Sequence, residues 1–152
     1  MKDFLDIKLV NVEGSEVSLK EYLKGYTLLY FYPKDDTPGC TTEACSFRDI
    51  NSEILALGVN IIGISKDSIK SHLKFKEKYK LNFELLSDPE HKLQEALGVW
   101  QEKSFMGRKY MGTQRMSFIL DAKGKIIKKY EKVNPKTHAQ EVLADLKLLL
   151  PK

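Results

Sequence analysis

Residues 28–45 read LLYFYPKDDTPGCTTEAC: an apolar run that breaks at a proline and gives way, past a second proline and a glycine, to a helix-forming stretch. Leu28–Tyr32 is continuously apolar, the pattern of a strand buried on both faces. From Thr41 to Leu57 the apolar residues Ala44, Phe47, Ile50, Ile54 and Leu57 recur three or four apart, and Gly58 follows as a stop. That spacing predicts a helix. Val59–Ile64 (VNIIGI) then repeats the buried-strand pattern. A strand, a helix and a second buried strand predict a parallel pair inside an α/β layer.

The rest of the chain extends this unit. Asp67–Tyr79 reads as a helix with Ile69, Leu73 and Tyr79 on or near one face. Glu90–Leu97 reads as a short helix ended by Gly98. Met116–Leu120 and Ile126–Tyr130 are strands joined by DAKGK, which has hairpin-turn chemistry. A last helix opens with Thr137-His-Ala-Gln140, a capping-box pattern, and runs to Leu150. Val10–Val12 and Glu16–Leu19, around Gly14, predict an N-terminal β-hairpin. The order predicts a thioredoxin-like α/β fold: a mixed central sheet flanked by helices, preceded by the hairpin. No repeat, low-complexity tract or linker divides the chain, so residues 1–152 are expected to form one domain.

Composition removes several function classes. The net charge of +4 comes from 25 basic and 21 acidic residues with both signs interspersed, a solvated surface and not a nucleic-acid stripe. No stretch approaches the ~20 apolar residues needed to span a bilayer. The opening MKDFLDIKLV lacks the apolar core of a secretory signal, so the expected location is the cytoplasm. Two cysteines do not make a zinc site, and His72, His91 and His138 lack paired spacing. No metal or cofactor is expected. The three histidines and Trp100 are expected to be packing or solvated side chains.

Both cysteines lie in the opening stretch. Cys40 falls at the strand-to-helix junction, where free backbone N–H groups and the positive end of the helix dipole favour a thiolate. Ionisation alone gains little. A thiol is already a few per cent thiolate at pH 7, so complete ionisation gives a factor of about 30. Enzyme accelerations are commonly ~10⁶ or more. Other groups must position the electrophile and stabilise the leaving group. Thr37, three residues before Cys40, offers a hydroxyl that both donates and accepts. Arg115, one of three arginines, immediately precedes a predicted strand and could hold a thiolate and an oxygen anion together. Unaided by anything further, a surface role for Arg115 stays open.

Cys45 lies five positions on. In an unbroken helix the two Cα atoms are roughly 8.6 Å apart, whereas a disulfide needs about 4.4–6.8 Å. Either the thiols never bond, or the first turns unwind when they do. A packing role for Cys45 is compatible with the spacing.

Pro33-x-x-x-Thr37-x-x-Cys40 is the peroxiredoxin active-site pattern. The longer run YFYPKDDTPGCTTEACSFRD resembles the bacterioferritin comigratory protein, or peroxiredoxin Q, subfamily. So do GISKDSIKSHLKFKEKYKLNFELLSD, the YMGTQRMSFIL segment and the DAKGKII hairpin. The chain departs from the pattern at its start, where MKDFLDIKLV lacks the usual Gly-x-x-Ala-Pro-x-Phe, and at Met116, where small or polar residues are common. The resemblance implies Cys40 as the peroxidatic and Cys45 as the resolving cysteine. It implies Thr37 bonding the thiolate and the peroxide, Pro33 covering the site, Arg115 as the active-site arginine and Glu43 orienting it. It implies a hydroperoxide substrate, a sulfenic acid, an intramolecular disulfide, thioredoxin or a similar dithiol as reductant, and a monomer. A monomer also follows from the lack of an evident exposed apolar edge in the sequence. Two rivals make different predictions. A general disulfide reductase would use C-x-x-C and reduce insulin without peroxide. A passive holdase would keep its activity in Cys40→Ser.

Overall fold

The computed structural model describes residues 3–150. Its centre is a seven-stranded mixed sheet. The chain enters through β1 (Leu9–Asn11) and β2 (Glu16–Val17), then crosses in β3 (Tyr26–Phe31). Helix α1 (Pro38–Ala56) leads to β4 (Val59–Ser65), and α2 (Ile69–Tyr79) to β5 (Glu84–Ser87). After α3 (Lys92–Ala96) come β6 (Trp100–Phe105), β7 (Arg108–Thr113), β8 (Met116–Leu120), β9 (Ile126–Tyr130) and α4 (His138–Leu149). The strand order is β2-β1-β5-β4-β3-β8-β9, with β6 and β7 forming a separate ribbon. β3, β4 and β5 run parallel, while β8 and β9 close the sheet antiparallel.

The predicted mixed sheet and its flanking helices are present. Leu28, Leu29, Tyr30 and Phe31 of β3 are all buried, because helices cover one face and the N-terminal and β8 side chains the other. One cluster packs Phe47 and Ile54 of α1 with Leu143 and Leu146 of α4 over Leu28 and Tyr30. The other packs Leu5, Leu19 and Leu93 against Leu29, Ile62 and Phe118.

Several boundaries differ from those expected, each for a local reason. α1 begins at Pro38 and not at Thr41, because extended Thr37 is its N-cap and a proline is at home in the first turn. α2 begins at Ile69, where the Ser68 side chain accepts from the Ser71 amide. α3 is limited to Lys92–Ala96, with His91 in a left-handed conformation at its start. The expected capping box at Thr137 is not formed: Thr137 has φ −119° and ψ −10°, and its side chain makes no cap bond. The Asn134 carbonyl accepts from the Thr137 and His138 amides instead. In the N-terminal hairpin, Leu19 leaves the strand for a 3₁₀ turn, and β1 also pairs with β5. The ribbon β6–β7 was not anticipated as strands. Its tip exposes Phe105, Met106, Tyr110 and Met111, so the expected lack of exposed apolar surface does not hold there. Among the described residues no helix is long and apolar enough to cross a membrane.

Candidate active site

The carboxyl end of β3 and the amino end of α1 set the site. β3 is buried on both faces and stops at Phe31, because Pro33 has no N–H to continue the ladder. The loop Tyr32–Thr37 then turns through Asp36, whose φ of 56° is left-handed. Asp36 is held there by Lys78 at 2.8 Å and by the Tyr79 hydroxyl at 2.7 Å. Pro38 occupies the first helical position, so Cys40 falls in the first turn with the dipole's positive end behind it. The Gly39 and Cys40 amides precede the first intrahelical bond, from the Thr41 amide to the Thr37 carbonyl at 2.8 Å.

Cys40 is buried, and its Sγ accepts from Arg115 Nη2 at 3.2 Å. Arg115 Nη1 donates to Glu43 Oε1 at 3.1 Å. The guanidinium thus spans both groups with its two arms, as its planar fork allows. Arg115 sits at the start of β8, directly beside the end of β3, since Met116 pairs with Phe31. Antiparallel register therefore carries it to the cysteine. Glu43 and Cys40 are three residues apart on one helix, and so share a face.

Burial pushes the Glu43 carboxyl up to about 7, and the Arg115 charge and hydrogen bond only partly offset this. Among the described residues, the second oxygen of Glu43 has no hydrogen-bond partner, nor has the hydroxyl of Tyr30. Burial also raises the Tyr30 phenol well above its usual range, and the charges of Glu43 and Cys40 add to this.

Gly39 has a steric role. A Cβ there would lie 2.7 Å from Arg115 Nη2. Gly39→Ala therefore moves the guanidinium and not the backbone, because the arm is the free end of a long side chain. The expected result is a drop of about tenfold or more in the reaction of Cys40 with a hydroperoxide, the substrate that the resemblance implies, with little change in melting temperature. Steady-state rates and thermal melts on one preparation check this.

The expected residues come together to different degrees. Cys40, Arg115 and Glu43 form one hydrogen-bonded group. Thr37 is the N-cap, but its hydroxyl donates to the Lys34 carbonyl at 3.0 Å, leaving its oxygen as an acceptor. Pro33 is half-buried in the loop before it. Cys45 is partly exposed on α1, and both thiols are free. His72 and His138 are buried with polar partners, and His91 stacks on Trp100 at 3.9 Å. One charged neighbour of the site was missed. Lys103, on β6, has its ammonium pulled below the usual lysine range by burial and by Arg115, with Cys40 opposing. Nothing local in the sequence marks it, since it arrives on a ribbon that sequence pattern did not show.

Among the described residues, Asp35, Asp67 and His72 place potential metal ligands within 4.8 Å of one another. Their facing oxygens already accept from protein donors: Asp35 Oδ2 from Ser71, and Asp67 Oδ2 from Ser65 and the Asp35 amide. A hydrogen-bond network accounts for the cluster.

Residues 1–129 match the AhpC/TSA family. The chain is 50% identical over 142 residues to Peroxiredoxin Bcp of Bacillus subtilis, covering 93% of this chain and 90% of the relative. It is 45% identical over 139 residues to Peroxiredoxin Bcp of Escherichia coli K12, covering 91% and 89%. A solved structure of the Xanthomonas campestris bacterioferritin comigratory protein, described for its alkyl peroxide reduction activity, superposes with a TM-score of 0.89. That pair is 36% identical and covers 95% of this chain and 92% of the other.

Proposed function

From the premise that this chain belongs to the AhpC/TSA family, among the Bcp or peroxiredoxin Q peroxiredoxins, we propose that it is a thiol peroxidase working through a Cys40 sulfenic acid and a Cys40–Cys45 disulfide. The observation that carries this reading is the Arg115 fork, one arm on Cys40 Sγ and the other on Glu43.

The Cys40 thiolate attacks the terminal oxygen of a hydroperoxide. An S–O bond forms, the O–O bond breaks, and the electron pair leaves on the second oxygen. Arg115 faces the reacting sulfur and stabilises that departing charge before it takes a proton. Thr37 lends an acceptor oxygen to the peroxide O–H. Pro33 limits water at the mouth. Cys40 is left as a sulfenic acid. The first turns of α1 then open, the Cys45 thiolate attacks the Cys40 sulfur, the S–O bond breaks, and the hydroxyl leaves as water. A dithiol protein of the thioredoxin kind reduces the disulfide by exchange. A cytoplasmic, monomeric enzyme completes the reading. The test is peroxide-dependent oxidation of a thioredoxin couple. Turnover with peroxide and none with insulin disulfides supports the reading. Insulin reduction without peroxide overturns it.

The raised Glu43 carboxyl gives the opening step a pH dependence. Closed, Glu43 holds its proton up to about 7, from an ordinary value of 4.5. Once α1 opens, it returns to water. The closed form therefore binds more protons between those values, and its advantage is lost as pH rises through them. The groups facing Glu43 are Arg115, Cys40 and Tyr30. Over that window the opening gains roughly 3 kcal/mol at most. Disulfide formation is expected to accelerate from pH 5 to 7 in the native protein, and to do so less in Glu43→Gln. Stopped-flow oxidation of the sulfenic form at several pH values checks this; equal slopes would contradict it.

A further inference from the structure

Helix α2 and the turn after it grip the chain on both sides of the active-site turns, and not between them. On the upstream side, Asp35 is almost wholly buried and has three side-chain partners. They are the Tyr32 hydroxyl at 2.6 Å, the Ser71 hydroxyl at 2.8 Å and His72 Nδ1 at 2.6 Å. The other ring nitrogen of His72 meets the Leu86 carbonyl at 3.1 Å. A carbonyl only accepts, so that nitrogen carries a hydrogen. The Asp35 amide donates to Asp67 at 2.7 Å. Asp36 is tied to Lys78 and Tyr79 at the far end of the same helix.

Downstream, Arg48 Nη1 donates to the Tyr79 carbonyl at 2.7 Å. Asn51 donates to the Asn82 carbonyl at 3.0 Å, and Asn82 returns a bond to the Arg48 carbonyl at 3.2 Å. Phe47, stacked on Tyr30 at 4.9 Å, adds an apolar stop.

Between these grips the side-chain bonds are of another kind. Thr37 bonds to Lys34, Thr42 to Pro38 and Ser46 to Thr42, all local and all to carbonyls. Among the described residues, the bonds from Thr37–Ser46 side chains to distant residues are those of Cys40 and Glu43 with Arg115.

We infer that α2 and its following turn clamp residues 35–36 and 48–51, so that the opening which brings Cys45 to Cys40 is confined to Thr37–Ser46. This rests on the disulfide cycle proposed above. Asp35, Asp36, Arg48 and His72 are then positioning residues. They keep the ends of the opened segment fixed, so the resolving thiol stays near the peroxidatic one and the helix re-forms in register. Both grips run to α2 and the residues flanking it, so one helix with its two ends sets both limits.

The test is amide hydrogen exchange on the reduced and disulfide forms. In the disulfide form the amides of Thr41–Ser46 are expected to lose protection by about tenfold or more, while those of Asp35 and Asn51–Ala56 change by less than about twofold. In Arg48→Ala the exchanging region should extend into Asp49–Ile54, and in Arg48→Lys, which keeps a donor for Tyr79, it should retreat. Sulfenic acid formation in Arg48→Ala should stay within about twofold of native while disulfide formation changes, a split that simple loss of stability would not give. If Arg48→Ala does not fold, Asp36→Ala decides, by loss of protection at the Asp35 amide. Exchange that runs through Asn51 or Asp35 in the native disulfide form, or is unmoved by these variants, overturns the clamp. If no disulfide forms, the cycle fails and the reduced protein still tests the clamp. Its fast and slow amides must divide at the same residues, or the clamp fails too.

Discussion

Cys40→Ser is expected to keep its fold and lose hydroperoxide reduction by at least about 10⁴-fold, down to the uncatalysed rate. The fold survives because serine is smaller than cysteine and its oxygen still offers Arg115 an acceptor at the first turn of α1. The chemistry does not survive. The nucleophile must be an anion at neutral pH, and an alcohol is not one even beside a guanidinium, whereas a thiol is already a few per cent ionised when free. Sulfur also takes up oxygen as a sulfenic acid, a step an alcohol lacks. Steady-state consumption of hydrogen peroxide with unlimited dithiol, beside a thermal melt, reads both parts. Retained turnover in a folded variant would move the nucleophile elsewhere.

Arg115→Ala carries the second large effect, a loss of about 10²–10³-fold in peroxide reduction, the usual cost of one preorganised donor to a developing oxyanion. Two functions go at once. Cys40 loses the donor 3.2 Å from its sulfur, and the departing oxygen loses its cation. Glu43 then has no cationic partner and stays protonated, so the buried acid adds little further instability. Arg115→Lys should restore only part of the rate. A single ammonium is a point charge and does not hold both Sγ and the Glu43 oxygen in a planar fork. A variant as fast as the native enzyme would reduce Arg115 to a surface residue at the end of a strand.

Much of this site lies in contiguous residues. Pro33, Thr37, Cys40, Glu43 and Cys45 share one loop and one helix, so spacing alone sets their separations. The β3–α1–β4 unit was legible for the same reason: buried strands are continuous apolar runs, and α1 carries a clear three-to-four repeat. Arg115 is different. Its closeness to Cys40 depends on β8 pairing antiparallel with β3, a long-range register that local pattern does not encode. The β6–β7 ribbon was illegible because both faces are largely exposed and Phe105, Tyr110 and Met111 follow no period-two alternation with the polar residues around them. Lys103 was lost with it. The start of α1 was placed three residues late because Thr37, Pro38 and Gly39 carry no apolar period, although the proline itself marks a first turn. The missing Thr137 cap shows the opposite error. The motif is present, but Asn134 takes the amides first.

The clamp by α2 was also beyond sequence reading. His72 and Asp35 are 37 positions apart, and His72 was expected merely to pack or face water. Their bond depends on α2 returning across the loop, which follows from the parallel β4–β5 crossover.

The most direct measurement is a time course of intact mass after mixing reduced protein with one equivalent of hydrogen peroxide and quenching with a thiol alkylator, for the native chain and Cys45→Ser. The account predicts that the native chain loses both free thiols within seconds, while Cys45→Ser stops with one added oxygen on Cys40. Both thiols intact in the native chain on that timescale would contradict the peroxidase reading. An added oxygen without loss of the second thiol would leave Cys40 in place and contradict the role given to Cys45.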